Sequence, residues 1–93
     1  MDIFWTHKAE DDIKRLYEFL APYHPESAIK VVQSLVNAPN TLAKQPRIGE
    51  KLDAFPAREV RRLLVGQYEM RYEIKDNTLY ILRIWHTREQ RFS

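Results

Sequence analysis

From Glu59 to Arg91 the chain reads EVRRLLVGQYEMRYEIKDNTLYILRIWHTREQR, and this run restricts the fold more than any other part of the sequence. Tyr68, Met70, Tyr72 and Ile74 alternate with Glu69, Arg71, Glu73 and Lys75. A side-chain period of two predicts a strand with one buried and one wet face. Val60 to Val65 before it and Leu79 to His86 after it read as two more strands. The last is apolar apart from Arg83, as expected where a strand is covered on much of both faces. Gly66-Gln67 and Asp76-Asn77 are two-residue turns, because Gly, Asn and Asp accept the left-handed backbone that tight hairpins need. A three-stranded meander is therefore expected.

The first half follows a different period. Ile3-Phe4-Trp5 predicts a short buried strand. Thr6 can cap a helix whose first turns hold Glu10, Asp11 and Asp12 and whose apolar stripe is Ala9, Ile13, Leu16, Tyr17 and Leu20. Ala21-Pro22-Tyr23-His24 stops that helix, and Pro25 is placed to begin the next. Ala28, Val31, Val32, Leu35 and Val36 form a second stripe, which Pro39 should end or kink. Lys44 to Ala57 is rich in turn residues and reads as a connection. The expected fold is α+β, in the order β-α-α-β-β-β, with a helical hairpin packed on a mostly antiparallel sheet and residues 1–93 forming one domain.

Charge is unevenly spread. Residues 1–46 hold one arginine, Arg15, and all the others lie beyond residue 46. A guanidinium stays charged and offers a fixed fork of donors, so arginines on a sheet suit phosphate or carboxylate partners. With no cysteine, neither a disulfide nor a thiolate zinc site can hold the fold. The three histidines, His7, His24 and His86, do not stand at metal-ligand spacing, so neither a metal nor another cofactor is expected. No leader or membrane-length apolar run is visible, which predicts a soluble cytoplasmic protein.

Four motifs in this order resemble the RelE/ParE superfamily of bacterial toxins. A short strand leads into an acidic helix start with an Ala9-x3-Ile13 step. Leu42-x3-Pro46-x2-Gly49 follows the second helix. Arg61-Arg62 precedes Gly66-x-Tyr68-x3-Tyr72-x-Ile74, and the chain approaches its end with Ile81-Leu82-Arg83-Ile84-x-His86-x-Arg88. The resemblance covers nearly the whole chain. It implies a toxin neutralised by a cognate antitoxin. RelE-like members cut messenger RNA on the ribosome without metal; ParE-like members share the fold but poison DNA gyrase.

Metal-free RNA cleavage needs a base, an acid and cations around the phosphate. Arg62, Arg71, His86 and Arg88 supply the types, with Glu50 or Glu59 as a carboxylate base. The resemblance places a phosphate-facing arginine at the second position of the Tyr68–Tyr72 stretch, yet Glu69 occupies it. A carboxylate there repels what a guanidinium would attract. The tyrosine many nucleases carry near the C-terminus is absent, since the chain ends Arg91-Phe92-Ser93. The expectation is a ParE-like gyrase inhibitor, with a ribosome-dependent mRNA endoribonuclease and an inactive, antitoxin-binding homologue as alternatives. Arg83 should pair with an acid such as Glu69 or Glu73. Arg61, Arg83, Arg88, Arg91, Val32 and Leu35 are the candidate partner-binding residues.

Overall fold

The meander sets the frame. In the computed structural model, which describes residues 1–89, strand β3 (Glu59–Val65) pairs antiparallel with β4 (Tyr68–Lys75), and β4 with β5 (Thr78–His86). Gly66 turns the first hairpin at φ 61°, and Asp76 and Asn77 turn the second at φ 52° and 59°. Both turns occupy the left-handed region that their residues tolerate.

Two more strands complete a five-stranded sheet in the order β1-β5-β4-β3-β2. β1 (Asp2–Trp5) lies parallel to β5, with Ile3 opposite Leu79 and Trp5 opposite Ile81. It is an edge strand rather than a buried one: Phe4 is 55% exposed and leans on Tyr80. β2 is the two-residue strand Glu50–Lys51, opposite Arg62 and Arg61. From sequence it falls within the Lys44 to Ala57 connection, because two charged residues carry no readable period. Its place is set from outside. Tyr72 Oη donates to the Pro46 carbonyl at 2.6 Å and accepts the Gly49 N–H at 3.1 Å, while Arg61 Nη1 donates to the Gly49 carbonyl at 2.7 Å. A Cβ on Gly49 would stand 2.6 Å from both the Arg62 carbonyl and Tyr72 Oη, which explains why glycine stands in the Leu42-x3-Pro46-x2-Gly49 motif.

Helices α1 (His7–Leu20) and α2 (Pro25–Lys44) cover one face of the sheet. The Thr6 hydroxyl accepts the Ala9 N–H and caps α1. Leu16 and Ala9 are buried, but Tyr17 is outside the stripe and exposed. Pro39 does not end α2, which runs on to Lys44. The lost backbone bond and ring crowding are offset because Leu35, Pro39 and Leu42 are all fully buried. The core joins these helix residues to Met70, Tyr72, Leu79, Ile81 and Ile84. Among the described residues no helix is long and apolar enough to cross a membrane.

A bulge falls between Arg71 and Tyr72: Tyr72 pairs with Ile81 but Arg71 with Arg83, so Leu82 is extra. The bulge reverses the side-chain parity of β5. Leu79 and Ile81 before it and Ile84 and His86 after it therefore all lie on the helix-covered face.

β1 stops at Trp5, leaving the outer edge of β5 bare beyond Ile81, and α1 takes it over. The Thr6 hydroxyl donates to the Ile81 carbonyl at 2.7 Å. Asp12 Oδ2 accepts the Ile84 N–H at 2.8 Å, and Arg15 Nη2 donates to the Ile84 carbonyl at 3.1 Å. Asp12 also receives Arg83 Nε at 2.8 Å and Arg15 Nη2 at 3.3 Å, and it is only 4% exposed. Truncating it strands the buried Ile84 amide and takes the carboxylate from Arg83, while Arg15 keeps Glu89 and the Ile84 carbonyl. Asp12→Ala is expected to lower stability by about 2–3 kcal/mol, read as a lower urea midpoint at unchanged m. A loss under about 0.5 kcal/mol, the range of ordinary surface substitutions, would show that the edge does not need the carboxylate.

Candidate functional site

The sheet divides the candidate residues between its two faces. Register places Arg62, Arg71 and Arg83 directly opposite one another across β3, β4 and β5. Their parity with Glu69 and Trp85 puts this rung on the face away from the helices. Directly opposed like charges repel, so the rung persists only with counter-charges. Arg62 Nε meets Glu50 at 2.6 Å and its Nη1 lies 3.6 Å from Glu69. Arg71 Nη2 reaches Glu69 at 3.3 Å. Arg83 is paired with Asp12 rather than with Glu69 or Glu73; the bulge turns it toward the β5 edge, where Asp12 waits. The Asp12 hydrogen bond, opposed by burial, raises the pKa of Arg83.

The side of β4 expected to be wet is therefore partly closed. Glu69 is 2% exposed and Trp85 6%. The Arg71 guanidinium lies 4.9 Å from the Trp85 ring centroid and 6.0 Å from that of Phe55, and Arg83 lies 5.7 Å from Trp85. These are cation–π distances, reinforced by desolvation. At the far end Arg58 forks onto Glu73 at 2.8 and 3.0 Å and covers Phe55. Phe55 comes from the connection between β2 and β3, so its covering of the sheet carried no signal in the strand period. One donor of the rung, Arg71 Nε, is buried without a hydrogen-bond partner among the described residues.

His86 sits elsewhere. It pairs with Tyr68 at the end of the sheet, on the helix side, and their rings meet edge to face at 5.1 Å. The Arg88 backbone N–H donates to His86 Nδ1 at 3.0 Å. An amide can only donate, so Nδ1 is unprotonated and Nε2 carries the hydrogen, which points to Gln67 Oε1 at 3.1 Å. Glu89 closes the same turn: Oε1 accepts the His86 N–H at 2.8 Å and Oε2 pairs with Arg15. Burial first, and then the Glu89 charge, raise the Tyr68 pKa. This corner opens into a cavity of about 570 Å³ bounded by Leu16, Phe19, Leu20 and the exposed Arg88.

The four residues that cleavage would require are thus not one constellation. Arg62 and Arg71 lie on the open face, His86 on the helix face, and Arg88 on the turn beyond it. Of the carboxylates, Glu50 is bound to Arg62, and Glu59 bridges Arg61 and Arg47 at 2.9 Å each. Arg61 itself is directed inward to the Pro46–Gly49 loop. Leu35 belongs to the core and not to a docking surface, because the sheet covers that side of α2; Val32 is half-buried. Arg91 lies outside the described residues. Among the described residues no group of three or more His, Asp or Glu is arranged to hold a metal ion. Asp12 was missed as a site-shaping residue: its place in the acidic helix start resembled ordinary dipole complementarity.

Two carboxylates, Glu73 on the open face and Glu59 on the helix side of β3, give the sheet a pH signature. The Arg58 hydrogen bond lowers the Glu73 pKa, with burial opposing it. For Glu59 burial raises the pKa, but the hydrogen bonds from Arg61 and Arg47 outweigh it and the net direction is down. A depressed carboxyl contributes stability above its unfolded value of about 4.3 and loses it as pH falls through the folded value. The thermal midpoint should therefore fall on acidification from about pH 5 to pH 3. Glu73→Gln should start lower and lose less across that window; parallel losses in the two proteins would contradict the assignment.

Comparison with known proteins gives one answer on ancestry. The family described as "ParE toxin of type II toxin-antitoxin system, parDE" matches residues 3–91. Toxin RelE2 of Caulobacter vibrioides is 29% identical over 84 residues, spanning 90% of this chain and 92% of that protein. Among solved structures, the chromosomal ParDE toxin–antitoxin system of P. aeruginosa superposes with a TM-score of 0.77 at 27% identity, covering 92% of this chain and 95% of the other. The toxin–antitoxin complex RelBE2 of Mycobacterium tuberculosis gives 0.65 at 26%, covering 91% and 95%.

Proposed function

The chain belongs to the ParE toxin family, a toxin of the type II toxin–antitoxin class, and from that premise we propose that it acts in the cytoplasm by inhibiting DNA gyrase and is neutralised by a cognate antitoxin. The observation that carries the choice of target is Glu69. It stands buried in the middle of the arginine rung, within 3.3 Å of Arg71 and 3.6 Å of Arg62. A cleavage site must leave guanidinia open to the charge that develops on phosphate. Here the rung is matched by Glu50, Glu69 and Asp12. His86, the residue best suited to proton transfer near neutrality, is on the other side of the sheet with both ring nitrogens occupied. This arrangement supports a toxin that works by contact with a protein, and residues 1–93 would act as one domain.

The ribosome-dependent mRNA endoribonuclease remains as a second reading on one specific observation. Arg71 Nε is a buried donor without a partner among the described residues, and a phosphate oxygen entering the rung would satisfy it.

Induction of the chain without its antitoxin separates the readings. The expected outcome is growth arrest with DNA-damage signalling, loss of supercoiling by purified gyrase on adding the toxin, and intact messenger RNA. Codon-linked cleavage of messenger RNA with normal supercoiling would overturn the gyrase reading in favour of the nuclease. Unchanged growth would point to an inactive homologue that only binds its antitoxin.

A further inference from the structure

β1 forms one edge of the sheet, and its main chain is only half used. The Asp2 N–H donates to the Asn77 carbonyl at 3.2 Å and the Thr6 N–H to the Ile81 carbonyl at 3.1 Å. Main-chain groups change sides at each residue of a strand. Asp2, Phe4 and Thr6 therefore turn their N–H and C=O toward β5, and Ile3 and Trp5 turn theirs away from it. Among the described residues no strand pairs with that outer side. Asp2–Trp5 holds no lysine, proline or bulge of the kind that guards a free edge, and its one charge is Asp2 at the end.

The side chains of this edge sort by face. Ile3 and Trp5 pack against the core beneath the helices. Phe4 lies on the other face, 55% exposed, with its ring 5.6 Å from that of Tyr80 on β5. The edge is also self-complementary. A two-fold axis perpendicular to the sheet at Phe4 brings Ile3 of each copy opposite Trp5 of the other, and each such pair exchanges two main-chain hydrogen bonds. Every outward N–H and C=O of Ile3 and Trp5 is then satisfied. Between these pairs Phe4 meets Phe4 of the second copy, at the close Cα approach of about 4.5 Å that brings side chains together. The two Phe4–Tyr80 pairs merge into one aromatic cluster.

Charge selects this register. Asp2 faces Thr6 of the second copy, and the two Asp2 carboxylates stand four residues apart along the strands. That is about 13 Å at the strand rise, beyond the Debye length of about 10 Å. A two-residue slip toward the N-terminus would set Asp2 against Phe4 and bring the acids to about 7 Å along the strands.

We infer that the protein associates with a second copy of itself through β1, joining the two sheets edge to edge around a two-fold axis at Phe4. Such a contact uses the same strand on both copies, so assembly closes at a dimer. It engages about five residues a side against the roughly 20–30 of a standard interface, so the association is weak and concentration-dependent. It does not rest on the toxin–antitoxin reading.

The test uses the purified chain, which has no cysteine of its own to compete. Sedimentation between about 10 and about 500 μM should shift from monomer toward dimer and no further. Phe4→Glu should stay monomeric throughout. Phe4→Cys should form a disulfide-linked dimer under mild oxidation at least about tenfold faster than Asp2→Cys, because only position 4 meets itself within the Cα separation of about 4.4–6.8 Å that a disulfide needs. Positions 2 and 4 are both exposed, and circular dichroism checks that each variant keeps its fold. A wild type that stays monomeric, growth past a dimer, dimerisation of Phe4→Glu as in the wild type, or equal cross-linking at the two positions would overturn the inference.

Discussion

Asp12 is the residue on which the arrangement of this molecule turns. β1 ends too soon to cover β5, and an uncovered strand edge next to a helix leaves buried amides without partners. One carboxylate on α1 answers the Ile84 amide, fixes Arg83 where the bulge aims it, and collects Arg15. Arg15 in turn holds Glu89, which closes the turn that fixes His86. The helical hairpin, the C-terminal strand and the candidate corner are thus tied through a single buried acid. An isolated carboxylate at such depth would be costly; four hydrogen bonds from three residues make it tolerable.

The meander was legible because its signals are local. Alternation from Tyr68 to Lys75 and the left-handed turn residues Gly66, Asp76 and Asn77 specify strand and register without reference to the rest of the chain. The helix starts at Thr6 and Pro25 were local signals too. What could not be read depends on residues distant in sequence. Pro39 stays in the helix because its ring is buried, β2 exists because Tyr72 and Arg61 hold its loop, and Phe4 is exposed because β1 is an edge.

The site was legible as an inventory and illegible as an arrangement. The arginines and the histidine are in the sequence, and so is the acid at Glu69. Which side of the sheet each occupies depends on the extra residue Leu82, and a one-residue bulge has no reliable sequence signature. Without it the parity of β5 would put Trp85 and His86 on the opposite faces from those they hold. As a sequence position Glu69 is a wet-face substitution for a phosphate-facing arginine; in the fold it is a buried counter-charge to Arg71, opposite Trp85 across the strands. That change of role makes the departure from a nuclease pattern part of the architecture.

On the proposed gyrase reading, buried carboxylate, above all Glu69, cancels the arginine rung as a site for RNA. Its most direct measurement is the binding of a labelled single-stranded RNA to the purified toxin at physiological salt, in the wild type and in Glu69→Gln. The wild type should bind no better than the non-specific range of about 10⁻⁴ to 10⁻⁶ M, and Glu69→Gln, which keeps the shape and removes the charge, should tighten binding by about tenfold or more. Submicromolar binding by the wild type, unchanged in Glu69→Gln, would contradict it.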